Sequence, residues 1–286
     1  MTLKPNPDCS SVTAMLAALR SWNIAVGNFF FRYRNALFPV VFMLTALTLR
    51  PKVLLGSPPL HRLLITLGLM VAVLGESFRL MTIGWEYIHR GGKDGKVYAS
   101  RLVKGGMYGI TRNPMYVANA LIATGMTLAT GSPTAYAVII PFFLFVYQAI
   151  VCAEENFLRD KFGSEYEAYC AKVNRFIPSW RLIGESFSGM RYDWRLALRH
   201  DLGTITGLAI GFIFLPVWRT YFLEGWAAAQ AAAGRALVIS SVVGILYALL
   251  LFLKKRRRLF FASAERTGTK TNLRSEAEGS TRISSK

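Results

Sequence analysis

Residues 104–116 read KGGMYGITRNPMY, and residues 154–178 read EENFLRDKFGSEYEAYCAKVNRFIP. The first is a glycine-rich, basic approach to an Asn-Pro step that opens an apolar helix. The second sets two adjacent carboxylates, Glu154 and Glu155, at the exit of the next apolar helix. Asn113 has the chemistry of a helix N-cap, and Pro114 that of the first helical position. A helix starting there turns backbone N–H groups and a positive dipole end towards the space between the segments, which suits an anionic ligand group. Gly131-Ser132-Pro133 folds the chain back, so Glu154 and Glu155 return to the same end as Arg112. A pocket with both signs of charge suits a zwitterionic ligand.

Composition states where such a hairpin belongs. Of 286 residues 53% are hydrophobic, and the mean hydropathy is +0.34. The apolar residues fall in blocks of about 20, the length that crosses a bilayer as a helix. The expected fold is all-α, a polytopic transmembrane bundle of about six spans with a cytoplasmic pocket. The net charge of +18, from 34 Lys and Arg against 16 Asp and Glu, would suggest nucleic acid in a soluble protein. Here it lies between and after the apolar blocks, so it reads as membrane topology with no nucleic-acid partner. Cys9, Cys152 and Cys170 have no pair spacing for metal or redox work, and His61, His89 and His200 stand alone, so no metal site is expected. The first apolar block starts late and lacks a small-residue cleavage site, so no secretory signal is read.

In chain order, residues 1–35 hold two mildly apolar stretches, 12–19 and 24–31, broken by Arg20 and Asn23, and read as an interfacial segment. Spans are expected over 36–49, with Pro39 near the start, and over 64–85, after a loop holding Pro51, Ser57-Pro58-Pro59 and His61. Within the second, Glu76 and Arg79 lie one turn apart and can pair, either in a working cavity or near the inner interface. A polar, basic connection with Gly91, Gly92 and Gly95 leads to the hairpin arms, 115–130 and 134–153. Asn119, Thr124, Gly125 and Thr127 suit close helix packing, and Pro141 predicts a kink. Gly163 reads as the end of a short helix, with Ser164 and Glu167 as a capping box for the next, which carries Tyr166 and Tyr169 on one face. Residues 179–201 are basic and aromatic, suited to the membrane surface. Spans over 202–222 and 233–253 follow, then a basic tail without a core-forming pattern. The chain thus divides into 1–35, 36–95, 96–180, 181–201, 202–253 and 254–286.

Six spans put both termini on one side. Most Lys and Arg fall in the N-terminal stretch, residues 85–112, residues 154–201 and the tail, while the opposite loops hold only Arg50, Lys52, Arg62, Arg219 and Arg235. The positive-inside rule therefore turns the termini, the glycine-rich approach and the carboxylate pair to the cytoplasm.

The two opening segments resemble the isoprenylcysteine carboxyl methyltransferase and phospholipid methyltransferase family of integral membrane enzymes. That pattern runs Gly-x-Tyr, Arg-His-Pro-x-Tyr, a hairpin, Glu-Glu-x-x-Leu, then Phe-Gly-x-x-Tyr-x-x-Tyr-x-x-x-Val-x-Arg-x-x-Pro. Here stand Gly106 and Tyr108; Arg112, Asn113, Pro114 and Tyr116; Glu154, Glu155 and Leu158; Phe162, Gly163, Tyr166, Tyr169, Val173, Arg175 and Pro178. The departure is Asn113 for His, which keeps hydrogen-bonding capacity but removes a titratable group. The resemblance covers residues 96–180, which it marks as a methyltransferase-like core.

What the resemblance implies is S-adenosylmethionine as cofactor, which makes the cytoplasmic pocket a cofactor pocket, and a lipid or prenyl-like substrate in the membrane. Arg112, Asn113 and Glu155 would then be catalytic. Gly106, Tyr108, Arg112, Asn113, Pro114, Tyr116, Glu154, Glu155, Tyr166, Tyr169 and Arg175 would bind the cofactor. In these roles Arg112 and the helix opening at Pro114 meet its carboxylate, Glu154 or Glu155 its ammonium, and the tyrosines its adenosyl face. Each has a plainer reading: an interface anchor for Arg112, a solvated helix end for the carboxylates, packing for the tyrosines, a phosphate-facing surface charge for Arg175. The chain has no Gly-x-Gly-x-x-Gly after a strand and no phosphate loop, in keeping with a cofactor that carries no phosphate. A carboxylate acceptor is ionised at neutral pH and needs no base, whereas an amine must lose a proton that Asn113 cannot take. An isoprenylcysteine-like carboxylate or another anionic acceptor is therefore favoured. Two other readings stay open: an NADPH-dependent reductase similar to the sterol reductases, against which Glu154 and Glu155 argue, and a non-enzymatic transporter or scaffold, for which no internal repeat is visible.

Overall fold

The computed structural model describes residues 7–86 and 99–253, and every regular element among them is a helix. Gly91, Gly92, Gly95, His89 and the tail lie outside the described residues. α1 (Pro7–Thr48) is 42 residues long and runs unbroken through Arg20, Asn23 and Pro39, joining the stretch read as interfacial to the first expected span. At 1.5 Å per residue it is about 63 Å long, well over a bilayer's thickness.

α2 (Pro58–Trp85) starts six residues before the expected span. The Ser57 side chain accepts from the Leu60 N–H and Pro58 occupies the first turn, so the Ser-Pro-Pro read as a loop is a helix start. After a short α3 (Met107–Ile110), α4 (Pro114–Ala129) and α5 (Pro133–Phe162) form the hairpin. Its turn places Gly131 at φ 70, and Ser132 accepts from Ala135 N–H at the start of α5. α5 continues past the carboxylates to Phe162, with Pro141 inside it, so Glu154 and Glu155 lie on a helix rather than beyond its exit. Gly163, at φ 49, both ends α5 and stands at the N-cap of α6 (Ser164–Lys172). Ser164 is thus the first helical residue and the expected capping box is not formed. α7 (Ile183–Phe187) precedes α8 (Trp194–Glu224), whose early start follows from Asp193 accepting from Leu196 N–H. α9 covers Trp226–Leu253.

Four of these helices are long and apolar enough to cross a membrane, α2, α5, α8 and α9. The other two expected spans correspond to the apolar end of α1, Ala36–Thr48, and to the 16-residue α4, about 24 Å long. Bound apolar area alone would not hold such helices together in lipid, so close backbone approach has to contribute. α2 and α4 lie antiparallel in closest contact, where a Cβ on Gly125 would come within 2.4 Å of Ala72 N and 2.5 Å of Gly68 O. α1 packs antiparallel on α5 through rings, Phe38 against Phe143 and Tyr147 and Phe42 stacked on Phe143 at 5.0 Å.

Glu76 and Arg79 do lie together, 3.7 Å apart and both buried. Arg79 also reaches across to α8, where Nη2 and Nε meet the two oxygens of the fully buried Asp201 at 2.6 and 3.0 Å. Thr204 accepts from the same guanidinium at 3.1 Å, and Asn119 of α4 accepts from Nη1. This polar node ties α8 to the α2–α4 pair.

Candidate functional site

The site is built where α4 begins. Asn113 occupies the N-cap position and the buried Pro114 the first turn, as expected, but the Asn113 side chain does not cap the helix. Its Nδ2 donates instead to Glu155 Oε1 at 3.1 Å and to the Arg175 carbonyl at 3.2 Å. An amide can serve both acceptors at once, which explains why an uncharged residue is sufficient at this position.

Glu155 is the centre. Besides Asn113, Arg112 Nε lies 3.3 Å from Oε1 and Arg175 Nη2 3.1 Å from Oε2. The carboxylate is only 8% exposed, and a buried carboxylate is tolerable only with such charged and hydrogen-bonding partners. Backbone bonds hold the three partners in register: Arg112 N–H donates to Asn174 O at 2.9 Å, and Ser179 N–H to Ile110 O at 2.8 Å. The Thr111 hydroxyl donates to the carbonyls of Arg175 and Phe176, and Arg112 Nη1 to the Cys170 carbonyl. The distant segments 110–113 and 174–179 are thereby laced into one wall.

Glu154 faces elsewhere, because adjacent helical residues diverge. It accepts from the Tyr116 hydroxyl at 2.5 Å. Tyr116 in turn packs near Tyr147, with ring centres 6.0 Å apart. Tyr169 donates to the Tyr108 carbonyl at 2.6 Å and lies beside Tyr166, both buried. Burial pushes both of these hydroxyls well above the ordinary tyrosine range, with the Glu155 charge adding to the effect on Tyr166, so both remain neutral at physiological pH. Gly106, at φ 55, donates its N–H to Ser186 O at 2.8 Å and so joins the α7 segment rather than Glu155.

A cavity of about 480 Å³ opens against Glu155, between α1 and α5. Leu19, Asn23 and Ile24 of α1 form one wall, and Cys152, Glu155, Arg159 and Arg175 the other. Of the residues expected to bind, only Glu155 and Arg175 line this cavity; Arg112 and Asn113 brace Glu155 from behind. Asn23, Arg159 and Cys152 were not legible as site residues. The signal available was spacing, since Cys152, Glu155 and Arg159 follow one another at helical intervals on one face of α5.

These features define an all-helical membrane protein with a buried, multiply paired carboxylate at one end of a helical hairpin. A sequence model of the phospholipid methyltransferase family matches residues 62–165, a range that holds α2, both hairpin arms and Arg112, Asn113, Glu154 and Glu155. The chain is 38% identical over 63 residues to an uncharacterized protein of Haemophilus influenzae, covering 22% of this chain and all of that one. It is 32% identical over 125 residues to the cobalt-zinc-cadmium resistance protein CzcN of Cupriavidus metallidurans, covering 43% of this chain and 54% of the relative. It is 27% identical over 120 residues to the nickel-cobalt-cadmium resistance protein NccN of Alcaligenes xylosoxydans xylosoxydans, covering 42% and 52%. The match thus spans about half the length of those two relatives. No solved structure matches the chain. Residues 62–165 thus carry the sequence pattern of the phospholipid methyltransferase family.

Proposed function

We propose that this protein is an integral membrane enzyme that transfers a methyl group from S-adenosylmethionine to a lipophilic acceptor, an isoprenylcysteine-like carboxylate or a lipid. The observation that carries the reading is the convergence of Arg112, Asn113 and Arg175 on the Glu155 carboxylate at the edge of a cavity. The cavity fits the cofactor by chemistry: it offers guanidinium groups, a carboxylate and an amide together with the apolar Leu19 and Ile24. When bound, S-adenosylmethionine supplies an electrophilic methyl group on a sulfonium sulfur.

The chain's own part is binding, orientation and exclusion of water. Methyl transfer is an in-line displacement, and alignment of two reactants supplies on the order of 7–11 kcal/mol. Glu155, held by Arg112, Asn113 and Arg175, forms with Arg175 a charged wall for that purpose, while Tyr166 and Tyr169 pack with Val173 in a separate buried cluster. None of Arg112, Asn113 or Arg175 is suited to take a proton near neutral pH, which favours an acceptor already ionised. The membrane orientation proposed is the one charge distribution favours, with the termini and this site towards the cytoplasm, where the cofactor is available.

Two relatives carry metal-resistance names, but the described residues hold no group of three or more His, Cys, Asp or Glu placed to bind a metal ion. The methyltransferase reading rests instead on the Glu155 cluster and the cavity beside it. Incubating the purified chain with methyl-labelled S-adenosylmethionine and membrane lipid extract should place label in an organic-soluble product. A carboxyl methyl ester would release it as methanol on mild alkaline treatment; base-stable label would point to an amine or hydroxyl acceptor instead, and no labelled product would contradict the proposal.

A further inference from the structure

We propose that Arg159, with Asn23 across the cavity, forms an oxyanion grip that takes the carboxylate of the cofactor's amino-acid moiety. This rests on the S-adenosylmethionine reading above. Three charged side chains line the cavity, Glu155, Arg159 and Arg175. Glu155 is engaged on both oxygens, and Arg175 is shared between Glu155 and the Cys152 sulfur, which accepts at 3.3 Å. Arg112 does not line the cavity, and its guanidinium is turned to Glu155 and the Cys170 carbonyl.

Arg159 is different. It makes no ion pair among the described residues, and its guanidinium lies over the Tyr166 ring, 5.9 Å from the ring centre, a contact that leaves its N–H edge open to an anion. A cation in the last turn of a helix has an ordinary role towards the helix dipole. Lys161, in the same turn, is engaged elsewhere: its ammonium donates to the Ala99 carbonyl and does not line the cavity. The wall thus presents two cations against one carboxylate that is already satisfied, a balance that calls for an oxyanion. Asn23 on the opposite wall offers an amide to it, and Leu19 and Ile24 leave apolar surface for the rest of the ligand. A lipid phosphate has the same oxyanion chemistry, so the test has to separate the two sources.

The full chain in phosphatidylcholine nanodiscs is titrated with S-adenosylhomocysteine and with 5′-methylthioadenosine, which keeps the adenosyl thioether and lacks the amino-acid end. Arg159→Gln should weaken the first by about tenfold or more, as expected for loss of a charged hydrogen bond, and the second by less than about threefold. Arg159→Lys should restore part of the loss. Ile24→Trp, which fills the cavity from α1, should weaken both. Equal effects of Arg159→Gln on the two ligands, no effect on either, or an effect seen only when phosphatidylglycerol replaces phosphatidylcholine would overturn the assignment. Failure of the unaltered chain to bind S-adenosylhomocysteine would overturn the cofactor reading and the assignment with it, whereas binding that all three variants leave unchanged would overturn the assignment alone.

Discussion

Replacing Glu155 by glutamine is expected to lower both S-adenosylhomocysteine affinity and methyl transfer by about a hundredfold or more. One side chain here neutralises two guanidinium groups, Arg112 at 3.3 Å and Arg175 at 3.1 Å, and orders the Asn113 amide. Glutamine keeps the shape but removes the charge and turns an NH2 group towards a cation, leaving buried donors unpaired. Each such loss costs about 1–3 kcal/mol, more for charged groups, and about 2.7 kcal/mol is a factor of a hundred. Glu154→Gln should cost tenfold or less, because the amide oxygen still accepts from Tyr116. Titration and labelled-methyl assays on the two variants, with gel filtration in detergent to confirm that each is folded, decide the point. Equal losses at the two positions would show that Glu155 has no special place.

The second large effect concerns stability and lies away from the cavity. Asp201→Ala is expected to lower the unfolding temperature in detergent by on the order of 10 °C. Asp201 is fully buried and holds Arg79 through two hydrogen bonds, so its removal leaves the guanidinium between α2, α4 and α8 with only the longer 3.7 Å contact to Glu76 and the neutral Thr204 and Asn119. Breaking a buried pair from one side costs about 3–5 kcal/mol, while replacing both partners by apolar groups is often neutral. The triple variant Glu76→Leu, Arg79→Met, Asp201→Leu, which removes every charge of the node, should therefore recover most of the loss. A single variant within about 2 °C of the unaltered chain would mean that the node does not fasten α8 to the hairpin.

Much of this was legible in the sequence, and for identifiable reasons. Long apolar blocks announce helices of a membrane bundle irrespective of their neighbours, and the Arg112-Asn113-Pro114 step and Glu154-Glu155 pair marked both ends of the hairpin. Helix starts were less legible, because Ser57 and Asp193 act as caps only through a bond to a backbone N–H three residues on. Asn113 failed as a cap for the opposite reason: Glu155, 42 residues away, competes for its amide and wins. The role of α1 was hidden altogether. Arg20 and Asn23 looked like a break between two short segments, whereas Gly27 lets α1 run on against Ala149 and Ala153, bringing Asn23 and Ile24 to the cavity wall. Long-range packing of that kind leaves no local trace. The same holds for Asp201, which sequence alone sets just before a span and the fold turns into the partner of Arg79.

The most direct measurement is isothermal titration of the detergent-purified full chain with S-adenosylmethionine, S-adenosylhomocysteine and NADPH. The cavity beside Glu155 and its charged walls predict micromolar binding of the first two and none of the third. Binding of NADPH alone would point to a reductase, and binding of none of the three would contradict a cofactor site between α1 and α5.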